Sequence, residues 1–148
     1  MEVSASVPVF FIEDSRSRFV VDSPEMRAAF TPEGVVFQAP AGQVRIRFGG
    51  ASSRVEVRGA RNMGHANFLI GSDPRTWRRE LPVFREILYR QLYPGIEAAY
   101  AGAGGHLKSE FRVAPGADPR QIRLEYSEDL SIDAAGCLHA GNLREQAP

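Results

Sequence analysis

The stretch Gly102-Ala103-Gly104-Gly105-His106-Leu107-Lys108-Ser109 comes nearest to a reactive motif. It has the outline of a phosphate-cradling loop, Gly, four residues, Gly-Lys-Ser, with Leu107 where the second glycine belongs. That glycine lets backbone amides approach phosphate, and a helix must begin straight after it. Here Glu110-Phe111-Arg112-Val113 reads as strand, so the stretch is expected to be a hairpin loop. Carboxylates offer a second chemistry. Glu97 and Glu110 lie on runs that should pair across this loop, with Asp118 beyond. Two carboxylates on one sheet face can act as acid and base in glycoside cleavage. Lys108, Glu110 and Arg112 also share one face by alternation, which a solvated, charge-paired outer face explains more simply.

Aromatic residues offer a third. Asp73-Pro74-Arg75-Thr76-Trp77-Arg78-Arg79-Glu80 joins a tryptophan to three arginines. Trp77, with Tyr93 and Tyr100, forms the candidate ligand-binding set, because aromatic faces suit pyranose rings. The plainer reading is a loop pinned to the sheet by Trp77, its arginines paired with Asp73 or Glu80. Stacking on single-stranded nucleic acid needs such groups too, but one cluster in a neutral chain is a weak basis for it. His65, His106 and His139 are far apart and have no cysteine pair nearby, so neither a metal nor any other cofactor is expected. No Gly-x-Ser-x-Gly elbow is present.

Composition narrows the classes further. The 148 residues are enough for one β domain with a real core. Eighteen basic and eighteen acidic side chains cancel, so no global field draws the chain to nucleic acid or an anionic membrane. Lys108 is the only lysine, an arginine bias that fits a GC-rich genome. Cys137 stands alone, which excludes an internal disulfide. No apolar run reaches membrane-spanning length, and the start, Met1 to Ser6, lacks the layout of a signal peptide.

The elements that must position these residues are strands. Val44-Arg45-Ile46-Arg47-Phe48 and Arg54-Val55-Glu56-Val57-Arg58 alternate apolar with charged, as strands with one wet face require. The small residues Gly49 to Ser53 between them predict a hairpin. Val7 to Ile12, Arg18 to Val21, Gly34 to Gln38, Ile96 to Tyr100, Leu107 to Val113, Ile122 to Tyr126 and Leu130 to Ile132 continue the series. Asp133 to Gly136 forms a further turn. Short strands with frequent turns predict an all-β antiparallel sandwich or an open barrel-like sheet. At most one short helix is expected, near residues 83–92, where Val83, Phe84, Ile87, Leu88 and Leu92 also fit a helical stripe.

Three strings then carry a family resemblance: Asn67 to Pro74 with Trp77; Tyr93-Pro94-Gly95-Ile96-Glu97 with Tyr100; and Pro115-Gly116-Ala117-Asp118-Pro119 running to Leu124. They resemble a bacterial domain of unknown function that precedes SBBP-type β-propeller repeats and immunoglobulin-like modules in large secreted proteins. The opening Phe11-Ile12-Glu13-Asp14 is similar to the family's start without its R-G-Q. The ending Leu143-Arg144-Glu145 to Pro148 is similar to a string after which the family continues, so a truncated copy is expected. The resemblance implies architecture, an extracellular or cell-surface location and adjoining domains, and it assigns no catalytic residue. Its recurrent Asp-Pro and Pro-Gly positions have structural explanations.

These readings converge on a non-catalytic extracellular structural or interaction module. A carbohydrate-binding module using Trp77, and a glycoside hydrolase using Glu97 and Glu110, are the alternatives. An open sheet edge left by missing strands further predicts a homo-oligomer through strand pairing or exchange.

Overall fold

The computed structural model describes residues 8–24, 26–39, 42–68, 71–103, 106–141 and 143–145. Val7, Leu69, Ile70, Gly104, Gly105, the first six residues and the last three, all used in the sequence reading, lie outside that set. Five strands form a first meander: β1 (Phe11–Ser15), β2 (Arg18–Asp22), β3 (Arg27–Thr31), β4 (Gly34–Ala39) and β5 (Gly42–Phe48). A second comprises β6 (Glu56–Phe68), β7 (Arg78–Tyr93), β8 (Ile96–Ala103) and β9 (His106–Val113), and β10 (Leu124–Tyr126) returns to the first. All ten join one antiparallel sheet in the order β10-β5-β4-β3-β2-β1-β7-β8-β9, with β6 on the remaining edge of β7. The sheet curls into a half-barrel. The strands β11 (Leu130–Ile132), β12 (Leu138–Ala140) and β13 (Leu143–Glu145) make a second, small sheet. Among the described residues there is no α-helix.

The open barrel-like form of the expected all-β class is therefore the one adopted, a single curled sheet in place of two packed ones. Alternation decides its two surfaces. In β5, Val44, Ile46 and Phe48 are buried while Arg45 and Arg47 are exposed. The concave surface gathers an aromatic column, Phe48–Tyr89–Tyr100–Phe30–Phe11, with successive ring centroids 5.0, 5.8, 5.1 and 5.3 Å apart. Burial of each such ring contributes about 2 kcal/mol, so this column is a large part of what the curled sheet holds in its interior. The Tyr89 hydroxyl donates to the Gly34 carbonyl across the interior, and Tyr93 donates to that of Gly49. These two bonds tie β7 to the open end of the β4–β5 hairpin, where Gly34 lies opposite Arg47.

Residues 83–92 are strand, within β7. Ile87 and Tyr89 point inward and are fully buried. Beyond Tyr89 the register with β8 shifts, and Gln91 takes a φ of 55°. This bulge brings Leu92 and Tyr93 both to buried positions. The two extra residues on β7 turn a period-two pattern into spacings of three and four, which imitate a helical stripe.

The hairpin expected between Val44–Phe48 and Arg54–Arg58 does not form. β5 pairs with β4 and with β10, where Leu124 faces Phe48 and Tyr126 faces Ile46, while β6 pairs with β7. The intervening segment instead crosses the barrel mouth, its Ser52 amide bonded to the Leu92 carbonyl. Alternation sets which face a strand buries, not which strand it pairs with. Strands are also longer than expected, 13 residues in β6 and 16 in β7. β7 can run that far because β1 and β8 share one of its edges in succession, at Phe84 and from Glu86 onward, while β6 follows the other.

Two Asp-Pro-Arg sequences form matching 3-10 turns, Pro74–Thr76 and Pro119–Gln121. In each the aspartate caps the turn, accepting the arginine's amide at 3.0 Å, and the guanidinium folds back onto the carboxylate. These bonds hold the Asp73 and Asp118 carboxyls below the usual aspartate range.

Candidate interaction surface

The convex face of β6-β7-β8-β9 carries the charged residues singled out in the sequence. Register places Glu56 opposite Arg90 and Glu97 opposite Arg112. Arg90 lies 3.9 Å from Glu97, and Arg112 lies 3.8 Å from it on the other side. Opposite charges therefore alternate across four strands. Glu97 and Glu110 do share this face, since Glu110 pairs with Ala99, two residues along β8 from Glu97.

Arg112 is the hub. It donates to Glu86 at 2.5 Å and to Glu110 at 2.9 Å, in addition to its contact with Glu97. Glu86 is the buried carboxylate of the group, only 7% exposed, and Arg61 reaches its other oxygen at 3.6 Å. Alanines do the spacing: Ala99 and Ala101 of β8 lie opposite Glu110 and Lys108 on one side, Leu88 and Glu86 on the other. Without bulk on β8, the Arg112 side chain can span from β9 to β7. Its hydrogen bonds with Glu110 and then Glu86 raise its already high pKa, so the cation is permanent. Sequence reasoning missed Glu86, because nothing in the β7 pattern distinguishes a carboxylate that will be buried. The Leu88 and Arg90 that share its face were the available signal.

The aromatic set does not assemble. Tyr93 and Tyr100 are interior, 4% and 7% exposed. Burial pushes the Tyr100 hydroxyl far above its usual range. Trp77 lies just before β7, whereas Tyr93 ends that 16-residue strand, roughly 50 Å away along the chain at about 3.3 Å per residue. Half-buried, Trp77 donates its indole N–H to the Gly71 carbonyl at 3.0 Å. The Arg79 guanidinium sits over its ring at 5.2 Å. Arg75 binds Asp73 as the loop reading expects, while the Trp77 indole ties the loop to its own Gly71. His65 lies on β6, His106 opens β9, and His139 of β12 contacts Asp133 at 2.9 Å. The three histidines thus do not converge. Lys108 and Ser109 sit on β9, with strand where a phosphate loop requires a helix.

The strand edges differ from one another. β6 is bulged between Asn62 and Gly64 and between Ala66 and Phe68, with Arg61 at a φ of 58°. β10, β11 and β13 have three residues each. β9 keeps unbroken register with β8 over eight residues, from His106 opposite Ala103 to Val113 opposite Ile96. Among the described residues it has no neighbour on its other side. Its inner face is only partly covered: Leu107 and Phe111 rest against the core, and Val113 is 40% exposed.

A family model for a domain of unknown function, DUF7948, matches residues 9–148. The chain belongs to that family. All thirteen strands found among the described residues of this DUF7948 domain, from Phe11 to Glu145, fall within the match. No curated protein and no solved structure matches the chain.

Proposed function

We propose that this DUF7948 domain is a non-catalytic interaction module of a bacterial surface or secreted protein, making its contacts along the edge of the curled sheet. The observation that carries this reading is the sharing of one permanent cation, Arg112, by Glu86, Glu97 and Glu110. Glycoside cleavage needs two carboxyls in unlike environments, one kept protonated and one ionised. Here Glu97 and Glu110 flank the same guanidinium on an open, convex face, with nothing to divide the two roles. Their geometry serves the sheet: it locks β7, β8 and β9 together and leaves the free edge of β9 in a fixed shape. Location outside the cell and adjoining domains follow from the sequence resemblance and belong to the same proposal.

The test is a hydrolysis assay of the whole chain on a panel of aryl glycosides, run beside the Glu97→Gln variant. The reading expects no turnover above the variant. Turnover lost on Glu97→Gln would replace it with the hydrolase.

A further inference from the structure

Resting on that reading, we infer that the partner of the β9 edge is β9 of a second copy, joined antiparallel about a two-fold axis through Ser109. An antiparallel pair must place facing residues on the same side of the pleat, so the axis has to pass through a residue. Only a few centres are possible on an eight-residue strand, and charge separates them. An axis at Lys108 sets lysine against lysine. An axis at Glu110 sets Glu110 against itself and Lys108 against Arg112. An axis at Phe111 shortens the ladder to Ser109–Val113 and relies on Arg112, whose charge is already shared by three carboxylates.

An axis at Ser109 gives a ladder from His106 to Arg112. On the convex side Lys108 faces the other copy's Glu110, twice by symmetry. On the concave side Leu107 faces Phe111, again twice, which extends the apolar surface that β9 leaves half-covered. Ser109 meets Ser109 at the centre, small enough for close approach. Lys108 makes no ion pair among the described residues and is exposed. A lysine on an edge ordinarily repels foreign strands. In this register it discriminates in favour of an identical strand, because the same strand carries its counter-charge two residues away.

Sedimentation velocity on the whole chain, from micromolar to near-millimolar, tests this with Lys108→Glu, Glu110→Lys and the double reversal. The wild type is expected to dimerise with concentration. Each single reversal makes two like-charge pairs and should raise the dissociation constant about tenfold; the double reversal should restore it. Because Glu110 also binds Arg112, circular dichroism is recorded for each variant. Ser109→Cys gives a readout that leaves the charges alone: under mild oxidation it should cross-link, and Lys108→Cys should not. A wild type that stays monomeric overturns the inference, as does a dimer indifferent to the single reversals or uncrosslinked by Ser109→Cys. A monomer that is also inert toward glycosides sinks the pairing and spares the non-catalytic reading.

Discussion

Replacing Arg112 by Gln probes the link between the charged face and the fold. The guanidinium makes three contacts of unequal worth. Glu97 and Glu110 have side chains 32% and 46% exposed, so their pairing with Arg112 is screened and contributes about 0.5 kcal/mol or less each. Glu86 differs, with a side chain 10% exposed and its closest cation at 2.5 Å. A charge-assisted bond to such a group contributes about 1.5–3 kcal/mol, and the loss is reduced because Arg61 still reaches Glu86. The expected cost is about 2 kcal/mol, a drop of roughly 1 M in the urea midpoint at an m-value near 2 kcal/mol/M. Arg90→Gln is the control. Arg90 is 55% exposed and 3.9 Å from its partner, and its loss should cost under about 0.5 kcal/mol. Adding Glu86→Gln to Arg112→Gln should recover part of the loss, a coupling of about 1 kcal/mol. Equal small shifts for Arg112→Gln and Arg90→Gln, with no coupling to Glu86, would refute the reasoning. The face would then be merely solvated charge.

Three further outcomes follow from the same structure. Gly34→Ala would place a methyl 2.0 Å from the Ile46 carbonyl oxygen at a φ of 148°, so a loss of about 3 kcal/mol or more is expected; Gly50→Ala, in open space at a φ of 68°, should lose about 1 kcal/mol by the same unfolding assay. Tyr89 and Tyr100 have hydroxyls raised by burial, so their protons leave first in the unfolded chain. Their stabilisation is complete below about pH 10 and is lost above it, by up to about 1.4 kcal/mol per pH unit each. Ultraviolet titration should show their ionisation only together with unfolding. Asp118→Ala removes the cap of the second 3-10 turn and should lower the midpoint of chemical denaturation. Because the Asp118 carboxyl is depressed in the folded chain, the charged part of that contribution is present above about pH 4 and fades below it.

Strand identity and face were legible wherever alternation was regular, as in Val44 to Phe48 or Ile96 to Tyr100. So were the Asp-Pro-Arg turns, because Pro fixes φ and the preceding aspartate can reach only the amides just beyond it. Pairing was not legible. The Gly49–Ser53 segment has hairpin composition, yet β10, some eighty residues on, takes the edge of β5. Local composition cannot weigh that against the burial of Phe48 on Tyr89 and Phe111. The β7 bulge defeated the period count for a similar reason, since a single residue with positive φ resets the phase. In the candidate site, the common face of Glu97 and Glu110 was readable from parity. The buried Glu86, the reach of Arg112 across the alanines, and the interior positions of Tyr93 and Tyr100 depend on the curl and the strand pairing, which exist only in the folded sheet.

Residue-resolved amide hydrogen exchange, followed from dilute to concentrated protein, tests the use of the β9 edge most directly. Protection should rise with concentration along His106–Val113 and stay unchanged along the bulged edge of β6. Exchange on β9 that is independent of concentration, or protection gained on β6 instead, would contradict it.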